Sequence, residues 1–283
     1  MTKKIIWAGL LLFHVAVWLH AQTKADSVAI VSAKWETSSP RAGITLKCAA
    51  IDRLYKGPQY ISIVEVEPRK ELRADMALSD KPAPTSVVAQ AHNAVAAING
   101  SYFSIKEGNS VCFLQIDGEV KDTTTAAELD MRVNGAVQTD KGRLKILPWS
   151  KEIEQNYHSE KDVLASGPML LQKGKACSWE ACDSDFIRTQ HPRSAVVVEK
   201  DGTIWFVTVD GRAPGHANGM SIPELAHLLR ILGGYDALNL DGGGSTTLWL
   251  EGNVINHPCD NKLFDHAGER AVPTILYFGP QAN

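Results

Sequence analysis

The sequence predicts an α+β fold, a mixed and mostly antiparallel sheet built from hairpins with a few packed helices. Apolar, β-branched runs of strand length dominate the chain, and turn-forming pairs recur between them. Helical patterns are too few to supply the crossovers of a doubly wound parallel sheet.

Taken in order, Ile44–Ile51 and Tyr60–Val66 read as strands. Thr85 to Asn93 reads as a short amphipathic helix, leading into a buried, small-residue strand over Val95–Ile98. Asp117-Gly118, Asn134-Gly135, Lys141-Gly142, Lys173-Gly174, Asp201-Gly202 and Gly252-Asn253 each mark a hairpin, and the clearest joins Ala195–Val198 to Thr203–Val209. Trp149–Lys161 is polar and without clear periodicity. The best-marked helix starts at Ser221, where Glu224 completes a capping box and Pro223 sits in the first turn; Gly233-Gly234 stops it. Leu225, Leu228, Leu229 and Leu232 give that helix a core-facing stripe. Strands follow at Ala237–Leu240, Thr247–Leu250 and Ala271–Phe278.

Of the 283 residues, the first 21 read as a signal peptide: Lys3-Lys4, the apolar run Ile5–Leu19, then Ala21 as a small residue for cleavage. That run, interrupted by His14, falls short of the roughly 20 residues a spanning helix needs. An exported protein, periplasmic or secreted, is expected, with no stable membrane span after cleavage. An uncleaved N-terminal anchor is the alternative. Residues 22–90 read as a strand-rich N-terminal part of the same domain or a small subdomain, and residues 91–283 as the domain carrying the polar motifs. Beyond residue 21 the chain has 27 basic and 32 acidic side chains, a net charge of −5, which argues against a nucleic-acid binder. Of five cysteines, Cys177 and Cys182 flank Trp179 at a spacing that suits a short disulfide loop.

Polar clusters recur where strands end: Asn99-Gly100-Ser101-Tyr102, Ser166-Gly167-Pro168, Asp210-Gly211-Arg212 and Asp241-Gly242-Gly243-Gly244-Ser245-Thr246. Three successive glycines are costly to order, so something must approach that backbone closely. The turn can form an anion-binding nest, or simply a hairpin between Ala237–Leu240 and Thr247–Leu250. Arg193, Arg212 and Arg270 add planar forks that suit phosphate or carboxylate, while Asp210, Asp241 and Glu269 offer acid, base or nucleophile. His191 and His216 lie near these clusters, whereas His227 falls on the helix as a structural residue. The P-loop, His-Glu-x-x-His and Gly-x-Ser-x-Gly patterns are absent.

These motifs, with His191-Pro192-Arg193-Ser194-Ala195, Asn218-Gly219-Met220-Ser221, Asn239 through Thr247, and Glu269-Arg270-Ala271-Val272-Pro273, come in the order seen in the phosphodiester glycosidase family. The chain resembles that family over roughly residues 95–278, and more loosely over 22–90. The resemblance implies a catalytic domain over residues 91–283 that hydrolyses a sugar-1-phosphodiester at the anomeric carbon, with N-acetylglucosamine among the candidate sugars. It implies catalytic roles for Asp241, Asp210 and Glu269, and substrate or phosphate contacts by Asn99, Gly100, Arg193, Arg212, Gly242, Gly243, Gly244, Ser245, Thr246 and Arg270. Glu269 has a second reading, as the partner that positions Arg270. No cofactor is expected to be required, although Asn99, Asp210 and Asp241 could hold Ca²⁺ or Mg²⁺. The expected partner is a sugar-1-phosphodiester on a glycan, a cell-wall polymer or a small molecule. Two rival readings are a metal-assisted phosphodiesterase and a non-catalytic glycan-binding protein that stacks sugars on Trp149, Trp179, Trp205 or Trp249.

Overall fold

The computed structural model describes residues 22–280; the N-terminal run expected to act as a signal peptide lies outside them. The fold is α+β, and every strand pairing among the described residues is antiparallel. An eight-stranded sheet runs Glu36–Arg41, Ile44–Leu54, Gly57–Val66, Ile204–Val209, Arg193–Val198, Asp236–Asn239, Met169–Gln172, Lys175–Ala176. One five-stranded sheet orders Asn253–Val254, Leu248–Leu250, Ala96–Asn99, Val272–Pro280 and Leu72–Ala83. The other orders Glu119–Asp122, Leu114–Ile116, Asp162–Ser166, Gly135–Asp140 and Arg143–Pro148.

The eight-stranded sheet is covered on both faces, which is why its inner strands read as unbroken apolar runs. Val196, Phe206 and Leu238 pack with Ile98, Leu276, Leu114 and Val137 from the two smaller sheets. On the opposite face Ala195, Val197, Val207 and Ala237 pack under the helix Ile222–Leu232. Each large side chain so buried contributes about 1.5–3 kcal/mol. The helix ends as its sequence requires: the Ser221 N–H donates to Glu224 Oε2 at 2.8 Å, and Gly233 closes it at φ +105°. His227 on this helix uses both ring nitrogens, with the Tyr55 hydroxyl 2.6 Å from Nδ1 and the Ser27 hydroxyl 3.0 Å from Nε2. Among the described residues, no helix is long and apolar enough to cross a membrane.

Residues 22–90 are woven into the same sheets as the rest: Gly57–Val66 pairs with Ile204–Val209, and Leu72–Ala83 with Val272–Pro280. Three local expectations differ from the structure. The strands flanking the triple glycine do not pair with each other; Asp236–Asn239 lies in the eight-stranded sheet and Leu248–Leu250 in a five-stranded one, so the turn is a crossing between sheets. Asn134-Gly135 is the entry to a strand after the short helix Ala126–Met131, with Asn134 Oδ1 accepting from the Met169 N–H at 2.7 Å. Cys177 and Cys182 are both free thiols: Cys177 packs with one core cluster and Cys182 with another, beside Trp179, whose Nε1 donates to Met169 O. Trp149, Trp205 and Trp249 are each buried in core, so they offer no open face for a sugar.

Candidate active site

Three strand ends converge on one buried amide. Asn99 Nδ2 donates to Asp241 O at 2.7 Å, while Asn99 Oδ1 accepts from the Ser194 hydroxyl at 2.6 Å and the Thr247 N–H at 3.1 Å. This side chain fastens the glycine turn at both ends. Gly100 adds to it, its carbonyl accepting from the Asp241 N–H and its own N–H donating to Thr274 O. The polar groups of Asn99 and Gly100 are thus spent within the protein, and neither presents one to a ligand as the resemblance implied.

One of the three N–H groups of the triple glycine is spent on a neighbouring backbone carbonyl. The Gly243 N–H donates to Pro192 O at 2.9 Å, and the Ser245 and Thr246 N–H groups donate back to Gly242 O and Gly243 O. What the missing side chains admit is two guanidiniums. A Cβ on Gly243, which sits at φ +63°, would lie 3.0 Å from Arg212 Nη2; one on Gly244 would lie 2.4 Å from Arg270 Nη2 and 2.3 Å from Asp260 Oδ1. Arg212 is exposed, with Nη2 3.4 Å from His191 Nδ1. Arg270 is held by Asp260 Oδ1 at 2.6 and 3.1 Å. Cys259, the residue before, points its Sγ at Gly243 O. Glu269 therefore does not position Arg270; its carboxylate takes the Ser86 N–H and hydroxyl at the start of the helix Thr85–Ala91, while Arg270 pairs with Asp260.

Asp241 lies at the centre, partly exposed. Loss of water around its carboxyl pushes its pKa up to about 6, against the downward pull of the Ser245 hydroxyl, Arg132, Arg270 and the Gly242 N–H. Ser245 and Thr246 are both buried, and the Ser245 hydroxyl lies beside the carboxylate without full hydrogen-bond geometry. Arg132 comes from the end of the helix Ala126–Met131. Glu128 grips it in a fork at 2.7 and 2.8 Å, and its Cζ lies 3.6 Å from the Tyr102 ring centre. Nothing in the local sequence marked it, apart from the four-residue Glu-to-Arg spacing of an ordinary helical pair.

Arg193 is in the wall. It is 2% exposed and donates to Met220 O, Phe186 O and Thr189 O, with burial drawing its pKa down to about 10. Asp210 is also sealed, at 1% exposure. Its oxygens accept from Asn256 Nδ2, the His257 backbone N–H and His257 Nδ1, the last at 2.7 Å. Burial pushes its pKa up and His257 pulls it back. Asn256 ties this corner to the glycine turn through Thr246 O. His257 stacks between Phe264, at 3.9 Å, and His266, at 4.5 Å, and His216 stacks on the far side of Phe264. Sequence reasoning passed over His257; its only signal was a polar Asn-His-Pro after a strand. His191 has its pKa lowered by burial first and then by Arg193 and Arg212. Among the described residues, no three His, Cys, Asp or Glu side chains come together in a way that could hold a metal ion.

The family model described as phosphodiester glycosidase matches residues 92–279. A Bacillus subtilis relative, the SPbeta prophage-derived uncharacterized protein YomE, is 29% identical over 194 residues, which cover 67% of this chain and 28% of that protein. The mouse N-acetylglucosamine-1-phosphodiester alpha-N-acetylglucosaminidase is 26% identical over 180 residues, covering 58% of this chain and 33% of the mouse protein. The chain thus spans about a third of the length of these curated relatives. Among solved structures, the catalytic domain of the zebrafish enzyme of that name, auto-inhibited by its pro-peptide, superposes with a TM-score of 0.64 at 20% identity, covering 87% of both chains. A hypothetical protein from Synechocystis gives 0.61 at 18% identity, covering 87% of this chain and 63% of the other.

Proposed function

This chain belongs to the phosphodiester glycosidase family, and on that premise we propose that it hydrolyses a sugar-1-phosphodiester at the anomeric carbon, releasing free sugar and leaving a phosphomonoester on the other partner. The observation that carries the reading is Asp241, a carboxyl pushed to about 6 with Arg132 and Arg270 beside it and Arg212 on the next turn of backbone. Guanidiniums match a phosphodiester anion bidentately, and Arg212, the most exposed of the three, makes the primary phosphate contact. Arg270 and Arg132 are held in orientation by Asp260 and Glu128, so they need little reorganisation when charge develops on the leaving group.

The phosphomonoester leaves readily as an anion, so electrostatic stabilisation matters more here than a strong general acid. Asp241, largely ionised at pH 7, is the group that attacks the anomeric carbon or activates water. Asp210 is a positioning residue: as an acceptor for Nδ1–H it fixes the His257 tautomer and holds that side of the wall. Arg193 does the same for the loops at Thr189 and Met220.

N-acetylglucosamine, the sugar in the name of the mouse and human relatives, is the first to try, on an envelope glycan or cell-wall polymer reached after export of the chain. Incubation of the protein with α- and β-linked sugar-1-phosphodiesters, with and without chelator, tests the reading by mass spectrometry and phosphorus NMR. Free sugar plus phosphomonoester supports it and names the sugar. Sugar-1-phosphate as product, lost with chelator, would replace it with metal-assisted phosphodiesterase chemistry.

A further inference from the structure

Two of the strand-end motifs, Asn99-Gly100-Ser101-Tyr102 and Ser166-Gly167-Pro168, supply no group to the reaction above, yet both close on one residue, Arg132. Tyr102 is 3% exposed; its hydroxyl donates to Gly167 O at 2.6 Å and accepts from Asn239 Nδ2 at 2.8 Å. The Ser166 hydroxyl donates to Asn239 O, two residues before Asp241, so this network is anchored to the strand that carries the carboxylate. Gly167 meets the backbone of Arg132: a Cβ there would lie 2.2 Å from Arg132 O and 3.0 Å from the Asn134 nitrogen. The Tyr102 ring meets the other end of the same residue, with Arg132 Cζ 3.6 Å from the ring centre. Phe186, edge-on to Tyr102 at 6.2 Å, has its ring centre 4.9 Å from that carbon.

We propose that Tyr102 is a positioning residue: its ring holds the Arg132 guanidinium so that the Nη1 edge is the one offered to the substrate phosphate. The proposal rests on the reaction proposed above for what Nη1 meets, and on geometry alone for how the guanidinium is held. Glu128 takes the Nε and Nη2 edge at 2.7 and 2.8 Å, and Gly167 packs against the backbone. An edge clamp alone leaves the plane free to swing about the carboxylate, and the face of Tyr102 stops that swing. Nη1 has no hydrogen-bond partner among the described residues, so its N–H groups are the ones left for a ligand. Burial works against the charge on Arg132, and the Glu128 carboxylate more than restores it. That charge reaches Asp241: after burial and the Ser245 hydroxyl, Arg132 is the first of the charges that act on that carboxyl, ahead of Arg270. The Tyr102 hydroxyl is spent on Gly167 and Asn239, and burial keeps it protonated by pushing its pKa up. What Tyr102 gives Arg132 is therefore its ring.

The Nε–H resonance of Arg132, identified as the one lost in Arg132→Lys, is followed by heteronuclear NMR in the full chain and in Tyr102→Phe, Tyr102→Leu and Tyr102→Met. The last two both lack the ring, so one of them folding suffices. The expected result is a ring-current displacement of that resonance, kept in Tyr102→Phe and lost without the ring. The same proteins are assayed on the α-linked methyl phosphodiester of N-acetylglucosamine-1-phosphate. Removing the ring lowers kcat by about tenfold or more with KM changed less, and Tyr102→Phe stays within about threefold of wild type. In the Arg132→Lys background the same removal costs less than about threefold, because no fork is left to hold; a role confined to stability would cost the same in both backgrounds. An Arg132 resonance that is the same with and without the ring, or losses that multiply in the double variant, overturns the proposal. A wild type that turns over no sugar-1-phosphodiester, while the resonance moves as expected, sinks the reaction and leaves the positioning of Arg132 by Tyr102 standing.

Discussion

Asp210 and Asp241 look alike in the chain, each an aspartate that ends an apolar strand and is followed by glycine. The folded protein treats them in opposite ways. Asp210 is closed off and meets three donors from Asn256 and His257, whereas Asp241 keeps contact with solvent and has guanidiniums near it that are already held by other carboxylates. Burial raises both pKa values. The lesson is that a carboxylate's role follows from how many of its lone pairs the protein has already filled.

The largest effect expected from breaking this contrast is at Asp241. Asp241→Asn lowers kcat by about 10³-fold or more while leaving the fold intact, read by steady-state kinetics beside thermal unfolding. Asp210→Ala reverses the pattern: it strands the donors of Asn256 and His257, costs about 3 kcal/mol of stability in urea unfolding, and lowers activity through the wall rather than the chemistry. A Gly244→Ala change is next. Its methyl group meets Arg270 and Asp260, so kcat/KM falls about 10²-fold with little change in Tm, measurable in the same assays.

The smallest effect is on pH dependence, and it sharpens the comparison. Asp241 is raised above its ordinary value, so its burial penalty is complete above about pH 6 and fades as pH falls towards the unfolded value near 3.8. Wild type therefore gains stability relative to Asp241→Asn on acidification through that window, while kcat/KM falls as the base is protonated. A flat stability difference between pH 7 and 4 would contradict this assignment.

Much of the fold was legible because its signals are local. Asp201-Gly202 turns between strands that pair in full register, from Arg193 opposite Val209 to Val198 opposite Ile204, and the Ser221–Glu224 cap starts a helix where expected. The sheet crossing at the triple glycine was not legible, since turn chemistry says how a chain bends and not which sheet it joins next. At the site, Asp241 and Arg212 announce themselves at strand ends. Arg132 and His257 do not: one comes from the end of a six-residue helix and the other from a loop, and both join the site only through tertiary packing.

Asn99 bonds to Ser194, Asp241 and Thr247, which lie 95, 142 and 148 residues away along the chain. Contacts this distant form late, because the entropy of closing such loops is lost before the bonds that reward it are made. The active corner can therefore take shape only after synthesis has passed Thr247. In refolding, recovery of turnover should track the final global phase rather than the earlier return of β-structure.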